Sequence, residues 1–177
     1  MLYPRSRFLV NLAVLWWLLC AGAAPSVSSE ETPADTSRFS PDAAALYQAA
    51  SKIPAQSAAD VLFLENQESV SFDAEGKAVR VRYYVYKILT QKGATEWDTI
   101  STGWEPWRDE RPVLRARVIT PDLVVHPLDP KTITEAPGRV IQDNVFSDSR
   151  VVRAPLPAVA PGSLVEEEQV SRCSKEI

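Results

Sequence analysis

Between Val61 and Val170 apolar and polar residues alternate with a period near two, broken at intervals by turn residues. Such alternation sends successive side chains to opposite faces of a strand, so it predicts half-buried β-strands. Val61, Phe63 and Glu65 alternate with Leu62 and Leu64, and Val70 and Phe72 lead into the turn Asp73-Ala74-Glu75-Gly76-Lys77. Gly76 tolerates positive φ there, which predicts a hairpin. Its second arm sets Val79, Val81, Tyr83 and Val85 on one face, and Arg80, Arg82, Tyr84 and Tyr86 on the other. Lys87-Ile88-Leu89 breaks the rhythm, as a β-bulge that switches the buried parity would. Gln91-Lys92-Gly93 closes that strand, and Trp97, Ile100 and Trp104 outline another with imperfect alternation. The loop from Glu105 to Pro112 carries two prolines and five charges and is excluded from a central strand.

Beyond that loop, Leu114, Ala116 and Val118 face one way while Arg115 and Arg117 face the other. Pro121-Asp122 turns the chain into a strand at Leu123-Val124-Val125-His126, which Asp129-Pro130 ends. Residues 131–144 read as irregular, Val151 to Ala154 as a short strand, and Ser163 to Val170 as the last strand. About seven short strands, without the helices a βαβ unit needs, predict a mainly β fold: an antiparallel β-sandwich over residues 55–177.

The N-terminal pattern is different. Arg5 and Arg7 precede an apolar run from Phe8 to Leu19, and Ala21-Gly22-Ala23 follows with the small residues a signal peptidase requires. Residues 1–23 are therefore read as a secretory signal peptide, with an uncleaved membrane anchor as the alternative. Leu19 is too bulky for the position before a lipidated Cys20. Residues 24–40 are rich in Ser, Thr, Pro, Ala and acids, and read as a flexible tether. Residues 41–54 read as one short N-terminal helix, with the Ser40 hydroxyl as cap, Pro41 in the first turn and Pro54 beyond its end. Leu46, Tyr47 and Ala50 would form its sticky face.

Composition narrows the function classes. The 177 residues hold 19 basic and 23 acidic side chains; removal of residues 1–23 takes two arginines, leaving 17 basic residues and a formal charge of −6. That balance argues against nucleic acid or an anionic lipid surface as partner, so membrane contact is expected only through an uncleaved signal segment. Removal also takes Cys20, so Cys173 is left as a lone thiol and no internal disulfide is expected.

Several blocks together carry a family resemblance: YKILTQKG at 86–93, WEPWRDERPVLRARVITPD at 104–122, LDPKTITEAP at 128–137 and SDSRVVRAPLPAVAPGSLVEEE at 147–168. In this succession the chain resembles the bacterial family called domain of unknown function 3857, over about residues 42–170. The resemblance implies an exported, periplasmic or extracellular β-sandwich module that precedes a transglutaminase-like domain. Its fold is similar to the β-sandwich domains of a bacterial peptide N-glycosidase, a likeness of fold alone. Two departures stand out. The family turn Pro-Asp-Gly here reads Pro121-Asp122-Leu123, and leucine resists positive φ. Family members also continue past the final strand, so the chain is expected to be a truncated member whose sandwich is incomplete at its C-terminus.

Candidate chemistry is sparse. A thiol mechanism needs cysteine, imidazole and an orienting group, yet His126 and Cys173 lack any motif context and stand in the reverse of the family partner's order. No catalytic residue, cofactor or metal site is expected, and the chain is read as not an enzyme. Glu166-Glu167-Glu168 is read as a solvated edge strand, its alternate members on opposite faces. Trp97 and Trp104 read as packing between sheets, whereas Trp107 sits in a charged, proline-bounded loop. Trp107, Arg80, Arg82, Arg115 and Arg117 are the candidate ligand-binding residues. The arginines would form a basic stripe if their strands were neighbours, or pair with Asp109 and Glu110. The expected function is a noncatalytic scaffold or substrate-positioning module for a transglutaminase-like domain. The alternatives are a cell-envelope glycan or peptide binding module and the remnant of a glycan-acting hydrolase.

Overall fold

The computed structural model describes residues 38–54, 58–138 and 148–175; the expected signal peptide, and the expected tether as far as residue 37, lie outside the described residues. The hairpin read from the alternation is present as β1 (Val61–Phe72) and β2 (Ala78–Ile88). Gly76 takes φ +78° in its turn, where the Asp73 carboxylate accepts from the Glu75 and Lys77 amides at 3.0 and 2.8 Å. Next come the short helix α2 (Gln91–Glu96), β3 (Thr99–Trp104), β4 (Val113–Ile119), β5 (Val125–Pro127), a 3-10 turn at Pro130–Thr132, and β6 (Thr134–Pro137). Strands β7 (Arg150–Pro155) and β8 (Leu164–Arg172) complete the described residues.

These strands form two antiparallel sheets. One has five strands in the order β1-β2-β8-β4-β5, and the other three in the order β3-β7-β6. The sandwich interior is filled from both, with Tyr86, Ile88, Leu114, Ala116, Val118 and Val165 meeting Ile100, Val152 and Ala154. Ile88, Val118, Val152 and Val165 are fully enclosed, and each aliphatic side chain so buried contributes about 1.5–3 kcal/mol.

The opposite face of the five-stranded sheet is also covered. There α1 (Ala43–Ser51) and the preceding residues Arg38 to Ser40 lie over Tyr83, Val85, Ile119 and Leu164. Asp42 caps α1, accepting from the Ala45 amide at 2.8 Å. The Ser40 hydroxyl, expected as the cap, donates instead to the Asp42 carbonyl at 3.2 Å, because Asp42 is the residue placed for the first free amides. A nine-residue helix is too short to hold by itself, so its packing carries it: Ala50 is buried, and Tyr47 donates to the Gly162 carbonyl at 2.9 Å.

Further local expectations change, and within residues 131–144, read as irregular, Thr134–Pro137 form β6. The bulge lies in β1, between Phe63 and Glu65, and β2 keeps its register through Lys87. Tyr86, Ile88 and Val85 are all buried because β2 is covered on both faces, so no parity switch is needed. Gln91-Lys92-Gly93, read as the close of a strand, instead opens α2, with the Thr90 hydroxyl accepting from the Gly93 amide at 3.0 Å. The Pro121-Asp122-Leu123 turn keeps the left-handed geometry despite its leucine, with Leu123 at φ +65°. Such a conformation costs a residue bearing a Cβ about 1–2 kcal/mol.

Gly93 is fixed by space. A Cβ built on it would stand 2.3 Å from the Asp60 carbonyl oxygen and 3.3 Å from a Val61 methyl carbon. The nearest obstacle is the Asp60 backbone, which cannot swing aside as a side chain would, so Gly93→Ala is expected to cost about 1–3 kcal/mol, the usual range for overpacking. The measurement is the urea midpoint, and an unchanged midpoint would show that α2 shifts freely.

Candidate functional site

The last strand, expected at a solvated edge, is the centre of the five-stranded sheet, hydrogen-bonded to β2 on one side and β4 on the other. Its three consecutive glutamates are consequently buried, Glu166 at 0 %, Glu167 at 5 % and Glu168 at 2 % exposure. Strand alternation still divides them as anticipated. Glu166 and Glu168 face α1, and Glu167 faces the sandwich interior.

On the outer face, register places Arg117 directly opposite Glu166 and Arg115 directly opposite Glu168. One Glu166 oxygen, Oε2, accepts from Arg117 Nε at 2.7 Å, and the ion pair brings Nη2 within 2.5 Å of the same oxygen. The other, Oε1, accepts from the Ser40 amide at 2.7 Å and, by a short hydrogen bond, from the Tyr83 hydroxyl. Glu168 Oε2 accepts from Arg115 Nη1 at 2.6 Å, while its Oε1 accepts from the Arg38 amide at 3.2 Å. Arg117 Nη2 also donates to the Ser40 carbonyl at 2.5 Å, and its guanidinium lies 5.2 Å from the centre of the Phe39 ring. Burial, and then the hydrogen bond to Glu166, holds the Tyr83 phenol well above its ordinary value. The phenol therefore stays protonated and acts as donor. Beside this cluster an open groove of about 380 Å³ is lined by Arg38, Ser40, Leu46, Glu65, Gln67 and Tyr83.

Glu167 has a different environment. Its carboxyl accepts from the Tyr86 hydroxyl at 3.2 Å and from Gln169 Nε2 at 2.6 Å. Burial raises its pKa above the usual carboxylate range, and these two hydrogen bonds only partly oppose the rise. Tyr86 is pushed upward in turn, by burial first and by the adjacent Glu167 second.

The five residues predicted as a ligand site fall into three places. Arg80 and Arg82 pair with Glu68 across the hairpin, at 3.2 and 3.3 Å. Arg115 and Arg117 lie across β8 from them and on the other face, because Arg82 is registered with Gln169 and Arg115 with Glu168. The arginine rows therefore do not merge into a stripe. Nor do Asp109 and Glu110 supply their partners: Asp109 pairs with Arg108 at 3.2 Å. Trp107 remains 54 % exposed, with the Arg108 and Lys175 cations 5.8 and 5.2 Å from its ring centre. Trp104 packs against the core, while Trp97 sits at the sheet margin, 5.3 Å from the rings of Phe63 and Tyr86.

The sulfur of Cys173 lies 3.7 Å from Asp109 Oδ1. His126 is registered with Val118, which faces Val165, so eight residues of β8, about 26 Å of strand, separate the imidazole from the thiol. A Cys/His dyad does not form across that span. No group of His, Cys, Asp and Glu suited to a metal ion occurs among the described residues. The acidic half of the outer site was missed because a triplet of glutamates reads as solvated. The available signal was the matched two-residue spacing of Arg115 and Arg117 with Glu166 and Glu168.

Residues 74–174 match the family described as Domain of Unknown Function with solved-structure structure (DUF3857). A comparison with curated proteins finds no match. Among solved structures, the fold is similar to a crystal structure from Parabacteroides distasonis described as a putative protease, with TM-score 0.59 and 8 % identity. The match covers 67 % of this chain and 24 % of that one, so the chain spans about a quarter of that protein's length.

Proposed function

The chain belongs to the DUF3857 family, and from that premise we propose that it is a noncatalytic, exported β-sandwich module that serves a transglutaminase-like domain as a scaffold or substrate-positioning element. One observation carries this reading. The strongest charges of the outer face are spent on each other and on the chain's own backbone: Glu166 and Glu168 each take an arginine and a main-chain amide. Carboxylates so engaged are oriented toward the chain's own groups, whereas general acid or base catalysis needs one oriented toward a substrate. The similar Parabacteroides distasonis structure supports the module reading, since the shared fold occupies 24 % of a longer protein.

A binding-module reading rests on the exposed Trp107 ring. Titration of the purified protein with peptidoglycan fragments and glycans, followed by tryptophan fluorescence, separates the two. A scaffold gives no saturable change, and a saturable change lost in Trp107→Ala favours binding. For the scaffold, a separately expressed transglutaminase-like domain is expected to melt at a higher temperature when the chain is added. Turnover of glycan or glycopeptide substrates by the chain itself would sink the noncatalytic reading in favour of a hydrolase.

A further inference from the structure

Arg38 and Ser40 meet Glu168 and Glu166 through their main chain, while the Arg38 side chain turns aside to Gln67, donating to its Oε1 at 3.1 Å. The two amides, two residues apart, donate to Glu168 and Glu166, themselves two residues apart on one face of β8. The pairing order is antiparallel, with Arg38 at Glu168 and Ser40 at Glu166. Arg117 completes it by donating to the Ser40 carbonyl. Both backbone groups of residue 40 are thus satisfied by side chains, as a neighbouring strand would satisfy them with its own backbone. The Ser40 hydroxyl takes no part, since it donates to Asp42. Phe39, between the two bonded amides, offers its ring to Arg117, whose guanidinium lies 5.2 Å from the ring centre.

We propose that Glu166, Glu168 and Arg117 form a clamp for the main chain of an extended peptide, and that residues 38–40 occupy it in cis. The ligand class follows from the contacts: a peptide with two free amides at alternate positions and an aromatic residue between them. Proline is excluded at either bonded position because it has no N–H to donate. The open groove lined by Arg38, Ser40, Leu46, Glu65, Gln67 and Tyr83 adjoins the clamp through Tyr83, whose hydroxyl donates to Glu166, and gives an incoming chain a route to it. Beyond the clamp the occupant is held by α1, which buries Ala50 and packs Leu46 and Tyr47 on the sheet, so an incoming peptide must displace that helix as well.

The inference does not rest on the scaffold reading, and its test needs no transglutaminase-like partner. The probe is a fluorescein-labelled peptide with the sequence of residues 38–53, added to the full chain and followed by anisotropy. In the parent chain the tethered copy competes at an effective concentration on the order of millimolar. Ser40→Pro weakens that copy, so the variant is expected to bind the peptide at least tenfold more tightly than the parent. A peptide N-methylated at its Ser40 position should not bind. On the unmodified chain, excess unlabelled peptide should accelerate hydrogen exchange at the Ser40 amide, and the N-methylated peptide should leave it unchanged. Equal binding of both peptides, or no saturable anisotropy in a Ser40→Pro chain of native circular dichroism together with unaltered Ser40 exchange in the parent, would overturn the clamp.

Discussion

Arg117→Met is expected to cost about 3–5 kcal/mol of folding stability, because it leaves a fully buried Glu166 without its cation. Against a total of about 5–15 kcal/mol for a typical domain, that is a loss of about a fifth or more. The urea midpoint should fall accordingly with little change in slope. The size of the effect comes from asymmetry. Two paired charges in a dry site roughly offset their desolvation, whereas one alone bears its full cost. Adding Glu166→Gln to Arg117→Met restores neutrality while keeping an acceptor for the Ser40 amide, and should recover at least half of the loss. If the double variant is no more stable than Arg117→Met, lost packing rather than charge explains the first effect.

Glu167→Gln should act in the opposite direction. Burial raises the Glu167 carboxyl above its unfolded value, so the folded state favours the protonated form. The stability from this group is therefore fully present below the unfolded value of about 4.3 and is lost as pH rises through the folded one. Glutamine reproduces the shape of the protonated acid: its carbonyl can accept from Gln169 and its amide can donate to the Tyr86 oxygen. The substitution should raise stability at neutral pH by about 1–3 kcal/mol, the scale of a buried polar group's desolvation. It should also flatten the rise in stability that the parent shows on mild acidification. Chemical denaturation at pH 4 and pH 7.5 checks both points, and a parent whose stability rises with pH while the variant gains nothing would contradict the assignment.

Alternation made much of the fold legible. The hairpin of β1 and β2, the two faces of β4 and the strand at Val151 to Ala154 follow from period-two patterns bounded by turn residues. Pairing between distant strands does not. Nothing local marks β8 as central, and Glu166-Glu167-Glu168 looks solvated because burial of charge depends on partners far away in sequence. Parity correctly separated Arg115 and Arg117 from Leu114, Ala116 and Val118. It could not show that the arginine face is roofed by residues 38–51. The short helix α2 escaped notice because its stability lies in the Thr90 cap and in the close seat of Gly93 on Asp60, both invisible to a hydrophobic pattern.

The central position of β8 also orders events in time. Tyr83 and Glu166 are 83 residues apart, so the β1-β2 hairpin and β4 emerge from synthesis well before the strand that joins them. Until it arrives, the inward edges of β2 and β4 are unsatisfied, and the sheet cannot close by local contacts. Pairings this distant slow folding and prolong the exposure of strand edges. The three carboxylates of β8 bear on that interval: charged in the unfolded chain, they keep the late strand from aggregating, and the outer pair loses its cost only when Arg115 and Arg117 are met in the correct register. A slip by one residue would bring Glu167 opposite one arginine and leave the other facing Gln169 or Val165. The same glutamates that seal the finished sheet thus act as its proofreading step.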